Sequence, residues 1–143
     1  MAVKTLDTLI RLHKQRVDIM RREMVAFEEE RRQLLAFAER LKREHAEEMQ
    51  LMLAEVKVAS FFGSYSAGVK QKLLNIDGEV KRLDAAIEEK AEAIREEFSE
   101  QKKYEITRET TLKRIEQKEK NLLQQRFDEI GSQQYHKAKE NPL

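Results

Sequence analysis

The sequence predicts an all-α protein, a long antiparallel two-helix coiled-coil hairpin. Three observations predict it. Apolar residues recur at coiled-coil spacing through two long stretches. The only proline, Pro142, stands at the extreme end, so nothing before it removes a helical backbone donor. A short segment without charge, Val58 to Val69, separates the two stretches in a chain that is otherwise 38% charged.

The first stretch supplies the first helix, expected over about residues 4–60. Leu6, His13, Met20, Phe27, Leu34, Leu41 and Glu48 fall on one row of a heptad. Ile10, Val17, Met24, Arg31, Ala38, His45 and Met52 fall on the other. Ten of these fourteen positions are apolar. A straight helix has about 3.6 residues per turn and rotates off a 3.5-residue repeat, so such a repeat held over seven heptads reads as a seam. A helix of that length spans roughly 85 Å.

The connection is expected at about 61–66. Gly63 is a candidate for the left-handed residue that ends the first helix. Ser64 or Ser66 is a candidate cap for the second. Phe61, Phe62 and Tyr65 would then close the end of the seam, and with Met52 they are expected to belong to the partner-binding surface at this end.

The second helix is expected over about 67–137, followed by a frayed tail at 138–143. Val69, Leu73, Ile76, Val80, Leu83 and Ile87 step by four and three. The stripe shifts through Ile94 to Phe98 and weakens over 99–111. It resumes at Leu112, Ile115 and Leu122, then Phe127 and Ile130. Gly131 is a candidate weak point. The whole chain, 1–143, reads as one coiled-coil domain.

Folding at about residue 63 makes facing residue numbers add to about 125–128. Leu41 then meets Ile87, Leu34 meets Ile94, and Phe27 meets Phe98 or Ser99. Arg31 comes beside Glu97. Leu6 reaches about Lys120, which leaves roughly the last fifteen to twenty residues without an intramolecular partner.

The bulk numbers narrow the function. Twenty-eight basic and 27 acidic residues leave a net charge of +1. That balance gives no long-range attraction to nucleic acid or anionic lipid, so neither is expected as a partner. Paired residues such as Arg21-Arg22 and Lys102-Lys103 read as solvated helix face. No cysteine is present, which excludes disulfides and thiolate sites. The N-terminus lacks the apolar run of a signal peptide. No uncharged apolar run approaches the roughly 20 residues of a membrane span. His13, His45 and His136 lack the spacing of a helical metal site. No nucleophile motif or phosphate loop occurs. The expectation is a soluble, intracellular protein that is not an enzyme and has no cofactor.

Two groups of residues point to protein partners. Leu35, Phe37, Met49, Leu51 and Val56 lie beside the seam rather than in it. A second copy or another protein covers them, or they broaden the seam. Met49 and Met52 suit an adaptable surface. At the other end "FDEIGSQQY" carries Phe127 and Ile130 beyond the reach of the first helix, open to docking or to fraying.

The start "TLDTLIRLHKQRVDIMRREM", the break at the midpoint and the late "RIEQKEKNLLQQRFDEIGSQQY" together resemble the bacterial flagellar export protein family FliJ and related type III secretion stalk proteins. Leu6, Leu9, Ile10 and Leu12, then Gln117 to Lys120, then Asp128 to Ile130 carry the resemblance, which extends over nearly the whole chain. It implies a cytoplasmic part of the flagellar export apparatus, peripheral at the inner face of the membrane. It also implies an antiparallel coiled coil like the central stalk of rotary ATPases. Its implied partners are the hexameric export ATPase, the export-gate membrane protein and export chaperones. Carried onto this sequence, the ATPase-facing end would hold Leu6, Leu9, Ile10, Leu122, Phe127 and Ile130. The family's gate-binding aromatics transfer poorly. Late helix 1 offers Met49 and Met52 instead, and Gly68 stands where a second aromatic is expected. The alternatives are a homodimeric coiled-coil adaptor and an export-substrate chaperone.

Overall fold

The computed structural model describes residues 2–53 and 59–140, with the second stretch's side chains described from residue 62 onward. Helix α1 runs Val3–Leu53 and helix α2 runs Ala59–Glu140. No strand occurs among the described residues. The two helices pack against each other as an antiparallel two-helix hairpin, the expected fold class. Contacts group the chain into two compact units. One joins Met1–Lys14 to Phe98–Leu143, and the other is Gln15–Glu97.

In the unit of residues 15–97 the heptad rows lie where the spacing puts them. Val17, Ala38 and Leu41 of α1 are buried, as are Val69, Ile76, Val80 and Leu83 of α2. Ala38, Leu41, Ile76 and Val80 form one cluster, with Leu34 and Leu73 packed on it. Small Ala38 lets the helices approach, and Leu and Ile fill the layers around it. Met20, Met24, Phe27 and Arg31 are half-buried, while Glu48 alone of the expected seam positions is exposed.

The unit of residues 1–14 and 98–143 has a different seam. Leu6 is fully buried and Ile10 nearly so, but α2 answers them with polar residues. Gln101 is 7% exposed and hydrogen-bonds Glu105 at 3.0 Å. The His13 ring stacks on Tyr104 with centroids 5.4 Å apart, and Arg108 Nε donates to Asp7 Oδ1 at 2.5 Å. The stretch 99–111 therefore does keep a seam face, built from amphipathic side chains whose carbon stems lie inward and whose polar ends reach out.

Two expectations about the connection need correction. The segment 61–66 is helical and belongs to α2. No glycine has a positive φ, so Gly63 ends no helix, and Ser64 and Ser66 cap none. The first helix is described as far as Leu53, residues 54–58 lie outside the described residues, and Ala59 already belongs to α2, so the expected end near 60 does not hold. The physical reason is tertiary packing. Glycine and serine lower helix propensity by at most about 1 kcal/mol each, less than the burial of neighbouring Val69 and the contacts of Phe62 and Ser66 return. Gly131 likewise lies within α2, which continues to Glu140.

The register also differs from the expected one. Arg31 faces Asp84, Glu23 faces Lys90 and His13 faces Tyr104, so facing numbers add to 115, 113 and 117. In that register Leu41, Leu34 and Arg31 do not face Ile87, Ile94 and Glu97 as expected. Glu97 lies 3.6 Å from Arg16 instead. The slip is about two heptads. A seam that repeats every seven residues presents apolar to apolar in both registers, so heptad spacing alone does not choose between them.

Candidate partner-binding surface

The shift in register lengthens the part of α2 that α1 does not reach. Asp7 faces Arg108, so α1 runs out opposite the stretch around Thr111. Every residue from Leu112 to Glu140 is exposed. This extension is longer than the expected fifteen to twenty residues. It stays helical because its composition favours helix and because ion pairs brace it one turn apart, Lys113 with Glu109 at 3.2 Å and Lys120 with Glu116 at 3.4 Å. Gln117 adds a hydrogen bond to Asn121 at 3.0 Å.

Leu112, Ile115, Leu122, Leu123, Phe127 and Ile130 are all exposed on this extension, Phe127 by 69%. At roughly 100° per residue they fall within one face. That face continues the one by which Gln101, Tyr104 and Arg108 meet α1. A lone surface Leu needs no explanation, but six large apolar residues in one stripe do. Glu119 and Arg126 stand within the stripe, and with Leu122 and Leu123 they line a shallow depression.

The residues predicted for partner binding divide by burial. Leu122, Phe127 and Ile130 are exposed in the extension. Leu6 and Ile10 are buried against α2 and Leu9 is half-buried, so Leu6 and Ile10 present no free surface. They hold α1 in place beside the extension.

In the unit of residues 15–97, Leu35, Phe37, Met49 and Leu51 are exposed beside the seam, as their spacing indicates. Val56 and the Phe61 side chain lie outside the described residues. Met49, Met52, Leu53 and Phe62 line a groove, apart from Leu35 and Phe37. A second groove is lined by Leu35, Ala38, Leu73 and Leu74, with Lys42, Lys70 and Asp77 at its edges. Leu74, 65% exposed, is the member that spacing did not single out. The available signal is the doublet Leu73-Leu74, in which one leucine enters the seam and its neighbour stands outside.

The charge-free segment meets His45. The imidazole Nε2 is 2.9 Å from the Ser66 hydroxyl. The ring stacks near Phe62 and Tyr65, with centroids 5.5 and 6.1 Å away. Tyr65 hydrogen-bonds Glu48, and that carboxylate together with partial burial raises the phenol above its ordinary pKa. A polar seam residue here has its partners supplied by a segment of small and aromatic residues. Long charged side chains there would crowd the rings.

Among the described residues no group of three or more His, Cys, Asp or Glu is placed to hold a metal ion. No described helix is long and apolar enough to cross a membrane. Comparison with known proteins returns no matching family model, no matching curated protein and no matching solved structure. The fold and the exposed stripe define a class, a two-helix antiparallel coiled coil with an unpaired helical extension.

Proposed function

We propose that this protein is a stalk component of a flagellar type III export apparatus, coupling the hexameric export ATPase to the membrane export gate. The observation that carries the reading is the apolar stripe on an α2 extension that α1 leaves uncovered. A hexameric ring with an apolar central opening would take such a helix, and ion-paired α2 beside buried Leu6 and Ile10 would hold it in position. The exposed residues Leu35, Phe37, Met49 and Leu51 would supply the contact to the gate or to export chaperones. The resemblance of "TLDTLIRLHKQRVDIMRREM" and "RIEQKEKNLLQQRFDEIGSQQY" to the FliJ family supports the choice of apparatus. The place of action is then cytoplasmic and peripheral to the membrane, and the protein itself catalyses nothing.

The test is an ATPase assay with a purified export hexamer. Wild-type protein is expected to stimulate turnover, and the Phe127→Ala/Ile130→Ala double variant to lose that stimulation while keeping its helical circular dichroism. Equal stimulation by both sinks the reading.

A further inference from the structure

We propose that the α2 extension is its own partner: two copies of this chain pair antiparallel through residues 112–133 of each. The inference goes beyond the stalk reading and stands without it; both use the same stripe, so the pair would have to part before the stripe entered an ATPase ring.

The first observation is continuity. In the unit that holds the extension, Gln101, Tyr104, Arg108 and Thr111 step by three and four along the face that meets α1. Ile115, Glu119, Leu122 and Arg126 continue the same steps after α1 ends. A face already built to pack against an antiparallel helix continues without one. The occupant that fits its spacing is another antiparallel helix.

The second observation is the symmetry of the stripe. Its centre falls between Leu122 and Leu123. An antiparallel twofold at that point puts Leu122 opposite Leu123 of the other copy, Ile115 opposite Ile130, and Glu119 opposite Arg126. In an antiparallel pair, a residue left of the midline of one helix meets a residue right of the midline of the other. At roughly 100° per residue, Ile115 and Leu122 lie on one side of the midline. Ile130 and Leu123 lie on the other. The 115–130 and 122–123 layers therefore close apolar on apolar, Leu112 and Phe127 lie toward Gln133 and Lys118 at the margins, and each copy contributes one acid and one base to two symmetric ion pairs. Parallel pairing in register sets Glu119 against Glu119 and Arg126 against Arg126, so charge selects the antiparallel arrangement. Glu119 and Arg126 flank the same depression as Leu122 and Leu123, and both are exposed. The pairing ends at Gln133 opposite Leu112, the point where α1 begins to cover α2.

The experiment is sedimentation equilibrium of the full chain over a range of concentrations. The average mass is expected to rise from one chain to two. Glu119→Arg and Arg126→Glu each convert both ion pairs to repulsions and are expected to raise the dissociation constant about tenfold. The double variant Glu119→Arg/Arg126→Glu restores both pairs and is expected to return close to the wild-type value. All three are exposed changes, and unchanged circular dichroism checks that they fold. A mass of one chain at every attainable concentration overturns the proposal. So does a dimer that the single reversals leave unchanged, or a double variant no tighter than the singles. Spin labels decide orientation. The 115-to-130 distance between copies is expected to be the short one, with 115-to-115 longer by roughly 10 Å or more. A short 115-to-115 distance overturns the antiparallel pairing.

Discussion

Arg31 donates from Nε to Oδ1 of Asp84 at 2.6 Å. Asp84 stands thirteen residues before Glu97, the acid that a fold at residue 63 would bring to Arg31. Arg31 and Asp84 are both partly exposed, so the pair adds little to stability. It nevertheless marks the register in which the helices meet.

That register predicts a double-mutant cycle. Arg31→Ala and Asp84→Ala are expected to couple by a few tenths of a kcal/mol up to about 1 kcal/mol. Arg31→Ala and Glu97→Ala are expected to be additive, because Arg31 meets Asp84 and Glu97 stands roughly 20 Å further along α2. Urea unfolding of the three single variants, the two double variants and the wild type measures both. Coupling of Arg31 with Glu97 instead would restore the register expected from spacing.

Core and extension are expected to differ sharply on truncation. Leu83 is 2% exposed, and Leu83→Ala removes packed methyl groups and leaves a cavity. A loss of about 2–3 kcal/mol is expected, the low end for buried leucine because a two-helix seam collapses easily. Phe127→Ala, measured at low protein concentration, is expected to change stability by less than about 0.5 kcal/mol. Thermal unfolding of both variants decides it.

The glycines near the midpoint test where the chain turns. Gly63 and Gly68 lie within α2 without a positive φ, and an added Cβ meets nothing within 4 Å at either. Gly63→Ala and Gly68→Ala are each expected to stabilise by about 0.5–1 kcal/mol, since alanine loses less backbone freedom in a helix. Were Gly63 a left-handed turn residue, the alanine variant would destabilise instead.

Glu105 predicts a pH effect. Hydrogen bonding from Gln101, with the nearby Lys102 charge adding to it, holds its carboxyl below the usual carboxylate range. A depressed folded pKa contributes stability above the unfolded value, and that contribution is lost as pH falls through the folded value. Carboxyl NMR titration is expected to find Glu105 below an exposed glutamate and to find it raised in Gln101→Ala. An unchanged midpoint in that variant would remove Gln101 as the cause.

Much of the architecture was legible because helix, seam and stripe are all local patterns. The spacing of Leu6, Ile10, His13 and Val17 identifies the buried face of α1 without knowledge of its partner, and all four are buried. The exposure of Leu35, Phe37, Phe127 and Ile130 was legible for the same reason. Periodicity was less informative over 99–111, where Gln101, Tyr104 and Arg108 pack as amphipathic residues rather than as an apolar row.

The helical class, the face each helix buries and the presence of large apolar residues outside the seam follow from local spacing, because one turn of helix relates each residue to its neighbours. Which residues face one another, and where α2 begins, depends on contacts between the two helices. Sliding one helix by whole heptads preserves apolar contacts, so the choice falls to particular side chains: small Ala38 among Leu41, Ile76 and Val80, His45 beside Ser66, Arg31 on Asp84. Those contacts join positions far apart in the chain. They draw the glycines and serines between Ala59 and Gly68 into α2, and they leave uncovered the length of it that lies past the start of α1.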